Sequence, residues 1–488
     1  MTTTMASLGH VLPPELLCCI WQNPGLTFDD RVHASQVCGY WRACALECPA
    51  LWSRIEFWTS VHHERCVCSM CGEMDEEMAL DEPGPSRIRR RRRRPRVGGT
   101  NLMAALERLG RATKPVALYI SVESEWADPA PLRDLAYRIV GLHTEVRVQT
   151  IDIAFEDPNV LEHFLHGVPV LPHIQSLVTR YVGSGDYLES DGDDYEDLPP
   201  DATSPTAITT LPDLRHITYS AGLRWTNGTR MRIRLSTPAL CSLAAEIRSA
   251  RELAHIVPLL GAQNALQTLA LRVEDSAQMR FAVPDAIKAA LDRVPRVSIA
   301  LQSAGGSAEE WVARTAFGAP TRAALHLVYA SQGTVPAHGL RVFDDISLVS
   351  LSLAHSPHAP GFVQITAQDA HSRLRSITCP AASAAEATTL VMRVAARVPS
   401  ASVHTLRVVS SLYNVLVSAL GALTGAHPVP GVPRLLPTPA FPALQRLVIG
   451  LPANAAAGLG DTVGTLKDRV RAQIACISSS ADIDFVEL

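Results

Sequence analysis

Apolar residues recur along most of this chain at the spacing i, i+3, i+5. The fullest copies are Val148-Ile151-Ile153, Leu214-Ile217-Tyr219, Leu266-Leu269-Leu271, Val294-Val297-Ile299, Leu348-Leu351-Leu353, Leu374-Ile377-Cys379, Val403-Leu406-Val408 and Leu444-Leu447-Ile449. Weaker copies begin at Trp52, Pro115, Ile174, Leu240 and Ala324, and a last one reads Ile483-Val486-Leu488. The second and third positions differ by two, so both point to one side of a strand, while the first anchors the approach from the preceding turn. Several strands are announced by a proline lead, as in Leu211-Pro212-Asp213-Leu214, Thr237-Pro238-Ala239-Leu240 and Phe441-Pro442-Ala443-Leu444; proline fits at the start of a strand but not within a central one. Start-to-start distances cluster at about 24–30 residues, with longer gaps that imply insertions. Helix-compatible stretches lie between the copies at Asp285 to Val294, Ala384 to Val398 and Thr462 to Ile477. A strand, a return helix and the next parallel strand make a unit whose apolar face stays bare until a neighbour covers it, so the array must be contiguous.

A different pattern occupies Leu12 to Trp52, where three short helices can be drawn. Pro13 and Pro14 suit a helix start, Leu16, Leu17 and Ile20 fall on one face, and Asn23-Pro24-Gly25 ends the run. Thr27 with Asp30 three residues on resembles a capping box and opens a second helix through Val32. A third is expected from about Ser35 to Leu46, with Val37, Trp41 and Ala45 on one stripe and Pro49 closing it.

This segment resembles an F-box, whose pattern is met by Leu12, Pro13, Glu15, Leu16, Leu17, Ile20, Val37, Cys38, Trp41, Leu51 and Trp52. The resemblance implies docking onto the SKP adaptor of a cullin-RING ubiquitin ligase through Leu12, Pro13, Glu15, Leu16, Ile20 and Val37. Leu17, Cys38, Trp41, Leu51 and Trp52 would then form the internal core. The triplets resemble leucine-rich repeats of the divergent fungal F-box sets, although the Asn or Cys ladder that normally follows the strand is mostly missing. The expected fold is α/β: a three-helix F-box at residues 8–53, then an irregular leucine-rich-repeat solenoid of parallel strands over 54–488. The implied function is a substrate-recognition adaptor of an SKP-cullin-F-box ligase that recruits a protein substrate through the repeats. The alternative is a non-catalytic interaction scaffold without ligase recruitment.

Composition narrows this further. The chain has 488 residues, 47% of them hydrophobic and only 5% aromatic, so a large core must be built mainly from aliphatic side chains. A net charge of -4 gives no global pull toward nucleic acid or anionic membrane. Eleven cysteines are diluted over a long chain whose start, Met1 to His10, lacks a signal-peptide pattern, so a reducing cytoplasmic or nuclear setting is expected. There the Asn227-Gly228-Thr229 sequon is idle, and Asn-Gly reads as a tight hairpin. The longest apolar stretch, Leu412 to Leu423, is shorter than the roughly twenty residues a membrane span needs.

Two segments break the rhythm, at 61–99 and 183–205, and both read as disordered or solvated insertions. The first holds His62, His63, Cys66, Cys68 and Cys71, whose spacing favours free thiols over a zinc site. It ends in an arginine run that includes Arg89, Arg90, Arg91, Arg92, Arg93 and Arg94. Nuclear import is one reading of that run, and a polyampholyte screened by the acidic stretch before it is the other; nucleic-acid recognition is disfavoured because aromatic and groove-binding features are absent. The second insertion is acidic, but Asp191-Gly192-Asp193 does not supply the frame of a calcium loop.

No nucleophile elbow, zinc-protease motif or phosphate loop occurs. His163 and His166 lie on an expected helix without a carboxylate constellation, and Cys38 reads as a small core residue rather than a nucleophile. The chain is therefore expected to need no cofactor and no metal, and to be no enzyme.

Overall fold

The computed structural model describes residues 12–21, 23, 26, 28–48, 54–60, 99–112, 115–122, 130–141, 148–155, 160–182, 207–219, 233–247, 266–273, 285–302, 312, 322–330, 339–344, 347–357, 361–398, 400–423, 440–451, 460–478 and 481–487. They fall into two compact units, Met1–Cys241 and Ser242–Leu488. The first begins with three helices, α1 (Pro14–Trp21), α2 (Phe28–Ser35) and α3 (Gly39–Glu47). Strands and helices follow: β1 (Arg54–Ser60), β2 (Gly99–Thr100), α4 (Leu102–Arg111), β3 (Val116–Val122), α5 (Ala130–Gly141), β4 (Val148–Phe155), α6 (Val160–Leu165), β5 (Ser176–Tyr181), β6 (Ala207–Thr210), β7 (His216–Tyr219) and β8 (Ile233–Ser236).

In space the strands of this unit run β2-β1-β3-β4-β5-β7, all parallel except the short β2, while β6 and β8 form a separate parallel pair. The register stacks Ile55, Leu118, Ile151, Leu177 and Ile217 into one column. Each is at most 3% exposed. This buried column is the physical content of the recurring triplet: side chains two apart share a face, and the parallel ladder places the same position of each copy side by side.

The second unit contains β9 (Ser242–Ile247), β10 (Thr268–Val273), α7 (Asp285–Asp292), β11 (Arg296–Leu301), β12 (Ala324–Tyr329), β13 (Leu348–His355), β14 (Phe362–Asp369), β15 (Leu374–Pro380), α8 (Ala384–Arg397), β16 (Thr405–Val409), α9 (Tyr413–Leu423), β17 (Arg446–Leu451), α10 (Gly460–Ile477) and β18 (Asp482–Glu487). Strands β9 to β12 begin about 26–28 residues apart, within the range of short strand-helix repeats. They stack in register, with Leu243, Leu269, Val297 and Leu325 in one buried column and Ala245, Leu271, Ile299 and Leu327 in the next.

Past β12 the spatial order departs from the chain order, running β12-β15-β14-β13-β16-β17-β18. Strand β14 is antiparallel to both neighbours, and β13 through β15 form a meander laid down in reverse. An array of parallel strands was expected throughout; these three strands break it. The cause is local. Between β14 and β15 the Asp369 carboxylate accepts hydrogen bonds from the amides of His371 and Arg373, at 2.9 and 2.8 Å, and from the Arg373 guanidinium at 2.6 Å. Ser372 adopts a positive φ of 62°. Together these close a tight reversal where a crossover helix would otherwise be needed.

That reversal also explains an exception in the triplets. Leu374 was expected to anchor like other first positions, yet it is 39% exposed, because it follows a hairpin turn and not a turn returning from a buried helix. The last triplet also shifts. Ile483 pairs with Leu447 and Phe485 with Ile449, so the core-facing pair in β18 is 483 and 485, while Val486 is 43% exposed.

The proline leads form the turns their composition implies. The amides of Leu214, Leu240 and Leu444 donate to the carbonyls of Leu211, Thr237 and Phe441, each three residues back with proline at the second turn position. Helix α8 opens on a side-chain cap close to a capping box: the Glu386 amide donates to the hydroxyl of the N-cap Ser383 at 3.2 Å, and the Glu386 carboxylate accepts at 2.9 Å from the amide of Ala382, one residue before the cap. Among the described residues two arginines are wholly buried. Arg322 donates to the Leu291 carbonyl at the end of α7, and Arg375 donates to the carbonyls of Arg322 and Leu374. The charge of Arg322 sits where the carbonyl end of α7 favours a cation, beside the Asp292 carboxylate at 3.4 Å.

Candidate functional site

The N-terminal helices owe their arrangement to two apolar stripes on α1 that point in different directions. Leu17 and Trp21, one turn apart, are at most 1% exposed and pack with Cys44, Ala45 and Cys48 of the α3 segment. Leu16 and Ile20, offset by one residue, are 51% and 43% exposed. The expectation that Leu16, Leu17 and Ile20 share a face is therefore corrected: the helix is apolar on two sides, and only one of them is covered.

Trp21 meets Trp41 edge to face, with ring centroids 6.2 Å apart and planes at 77°. Trp41 stays half-buried, so the larger share of the aromatic core falls to Trp21, which the F-box pattern had not singled out. A step of four from Leu17 is the signal that would have found it. Tyr40 ties the module across its length by donating from its hydroxyl to the Leu12 carbonyl at 3.1 Å. Leu12 is half-buried against the core as well as lying at the start of α1.

Helix α3 begins later than the sequence suggests. Cys38 sits in extended backbone, and its sulfur accepts from the Trp41 amide at 3.5 Å, capping a helix that starts at Gly39. Ser35 belongs instead to the end of α2. Two expectations change in consequence: Cys38 is a half-buried cap and not a core side chain, and Val37 leaves the α3 stripe for the link between α2 and α3, where it is 63% exposed. Pro13 and Glu15 are both exposed at the start of α1, Glu15 in the first turn where a carboxylate suits the helix dipole. Leu51 and Trp52 lie outside the described residues, as do the arginine run, the cysteine-histidine segment, the acidic insertion and Asn227-Gly228.

The structure thus brings Leu16 and Ile20 together on the uncovered side of α1, with Pro13 and Glu15 at its start, and exposes Val37 on a separate link. Such an arrangement can present apolar surface to a partner. Burial and a hydrogen bond with Cys48 push the Cys18 thiol up to about 11, and burial pushes the Cys379 thiol upward too, so both are held as unreactive thiols. His163 lies in α6, but His166 falls in the turn beyond it, and no group of three or more metal-ligating side chains forms among the described residues. Among the described residues no helix is long and apolar enough to cross a membrane.

A family model described as F-box-like matches residues 10–58. The match covers all three helices and runs into β1. No curated protein matches the chain.

Proposed function

We propose that this chain is a substrate-recognition adaptor of an SKP-cullin-F-box ubiquitin ligase. Leu16 and Ile20 of α1, with Leu12, Pro13 and Glu15 at its start and Val37 on the link between α2 and α3, dock on the SKP adaptor. The strand array, read as divergent leucine-rich repeats, holds a protein substrate. The observation that carries this reading is the coincidence of the F-box-like match with an α1 whose one apolar stripe is buried and whose other is bare. Two neighbouring exposed aliphatic side chains on a module of this size are more economically explained by a partner than by its own packing. The chain contributes no chemistry. It raises the local concentration of substrate beside a ligase that supplies the reaction. It works in the cytoplasm or nucleus and takes no cofactor.

Capture of purified SKP adaptor by the full chain tests the reading. Wild type is expected to bind, and Leu16→Asp and Ile20→Asp to lose binding at unchanged folding. Absence of binding by wild type, or binding indifferent to both substitutions, would leave only a scaffold without ligase recruitment.

A further inference from the structure

One face of the second unit's sheet is buried and the other keeps partial exposure, as the alternating burial of β9, β11, β12 and β14 shows. The half-exposed face has an uneven distribution of charge. Its flanks hold Glu246 with Arg272, and Arg446 with Asp484, each an ion pair. Between them, strands β12, β15, β14 and β13 place no Asp, Glu, Lys or Arg on this face. The central row instead runs His326, Ser376, Thr366 and Ser352 in direct register. Gln364 and Gln368 flank Thr366 on the same face of β14.

The row sinks at β15. Ser376 and Thr378 are 7% and 3% exposed although they belong to the open face, and His326 Nε2 lies 2.9 Å from Thr378 Oγ1. Bracketing the neutral stretch are two exposed arginines, Arg296 on β11 and Arg407 on β16, in line with His326 and its neighbours or one step along the strand. Neither has an acidic partner among the described residues. The contrast with the first unit is informative, because there Arg54 pairs with Glu56 and lies over the Tyr119 ring, and Arg180 pairs with Asp152.

We propose that this face of the second unit binds an extended, polar protein segment carrying one acidic side chain near each end, with Arg296 and Arg407 receiving the two carboxylates. Five interstrand steps separate β11 from β16, about 25 Å at the usual spacing. An extended segment covers that distance in about eight residues, and an even step keeps both acidic side chains on one side. Of the groups between, the half-exposed Ser352, Thr366, Gln364 and Gln368 are suited to an extended backbone, since each can donate or accept and none demands a counter-charge, while the buried Ser376 and Thr378 stay out of reach. A basic segment would meet two uncompensated cations, and an apolar one would strip water from the hydroxyls without return. The inference rests on the adaptor reading and gives its substrate a chemistry.

The test uses the full chain and a labelled peptide with Glu at positions one and nine and Ser, Thr and Gln between, compared with the same peptide carrying Lys at both positions. The Glu peptide is expected to bind at least tenfold more tightly than the Lys peptide and to weaken with added salt. Arg296→Glu and Arg407→Glu should each weaken it about tenfold, and the double reversal should transfer preference to the Lys peptide. Arg296→Gln and Arg407→Gln, which are milder at exposed sites, should weaken binding without that transfer. Equal binding of both peptides, or reversals that leave the Glu peptide within twofold, overturns the proposal. So does self-association of the wild-type chain that the reversals abolish while neither peptide binds, which would make the face a contact between copies of this chain. SKP-adaptor capture on the same samples separates the two readings. Capture that persists while the peptide fails removes this inference alone; a charge-dependent peptide with no capture removes the ligase and retains the binding face.

Discussion

Asp369 and Arg373, four residues apart, hold the turn that lets β15 run back against β14: the guanidinium Nε stands 2.6 Å from a carboxylate that is almost completely buried. Burial alone would raise the Asp369 carboxyl. The amides of Arg373 and His371 and the Arg373 guanidinium outweigh it and hold the group below its usual range. A carboxylate with a depressed folded value stabilises the fold above its unfolded value, near 3.9, and that contribution is lost as pH falls through the folded value. Asp369→Asn is therefore expected to lower stability at neutral pH by on the order of 2 kcal/mol. The gap from wild type should narrow as pH drops below about 4. Thermal unfolding of both proteins at pH 7 and pH 3 measures it, and a gap that widens on acidification would contradict the assignment.

The two tryptophans of the N-terminal module should separate stability from docking. Trp21→Ala is expected to cost about 3–5 kcal/mol, and Trp41→Ala less because its ring is only half-buried. Hydrogen exchange of the α1 and α3 amides in the full chain reads both. Leu16→Asp should leave that exchange unchanged while removing adaptor capture.

Leu374 and Ile377 belong to one triplet yet differ in environment. Ile377→Ala, at a fully buried position, is expected to cost about 2–5 kcal/mol, whereas Leu374→Ala should cost well under half of that. Urea unfolding of the two variants decides it. Equal losses would mean that the triplet rule holds at β15 after all.

Gly167 has a φ of +76°, and a Cβ there would clash with the Tyr137 hydroxyl, which itself donates to the Gly167 carbonyl at 3.3 Å. Gly167→Ala should destabilise by about 1–2 kcal/mol. Adding Tyr137→Phe should recover only part, because the backbone conformation still disfavours a side chain. Full recovery in a thermal melt would assign the whole cost to the clash.

Much of this was legible where sequence periodicity and burial have the same cause. Leu269 and Leu271 are spaced two apart because both face the core of a parallel ladder, and nothing else in the chain competes with that requirement. Strand β14 was missed for the opposite reason. Val363, Ile365 and Ala367 alternate cleanly with Gln364, Thr366 and Gln368, a period of two, and Phe362-Ile365-Ala367 even meets the triplet spacing, but the segment enters from a hairpin with no helix-compatible stretch before it to set it apart as a strand. At α1 the apolar content was visible but its direction was not. Leu16 and Leu17 are adjacent, and only Trp21 and Cys48, supplied by packing, decide which of them is covered. Cys38 was misplaced because a sulfur acting as a helix cap looks, in sequence, like a small apolar residue before a helix.

Because β15 and not β13 lies beside β12, the residue that completes one rung arrives in the chain well after the residue that should have followed it. Synthesis or truncation that stops between β12 and β15 leaves the ladder of β12 open on one side, and the unit cannot be shortened or extended by whole repeats anywhere from β12 to β16. Assembly there must close a longer stretch of chain before any pairing stabilises it, which raises the mean separation of contacting residues and makes this segment the slow step of an otherwise neighbour-by-neighbour fold.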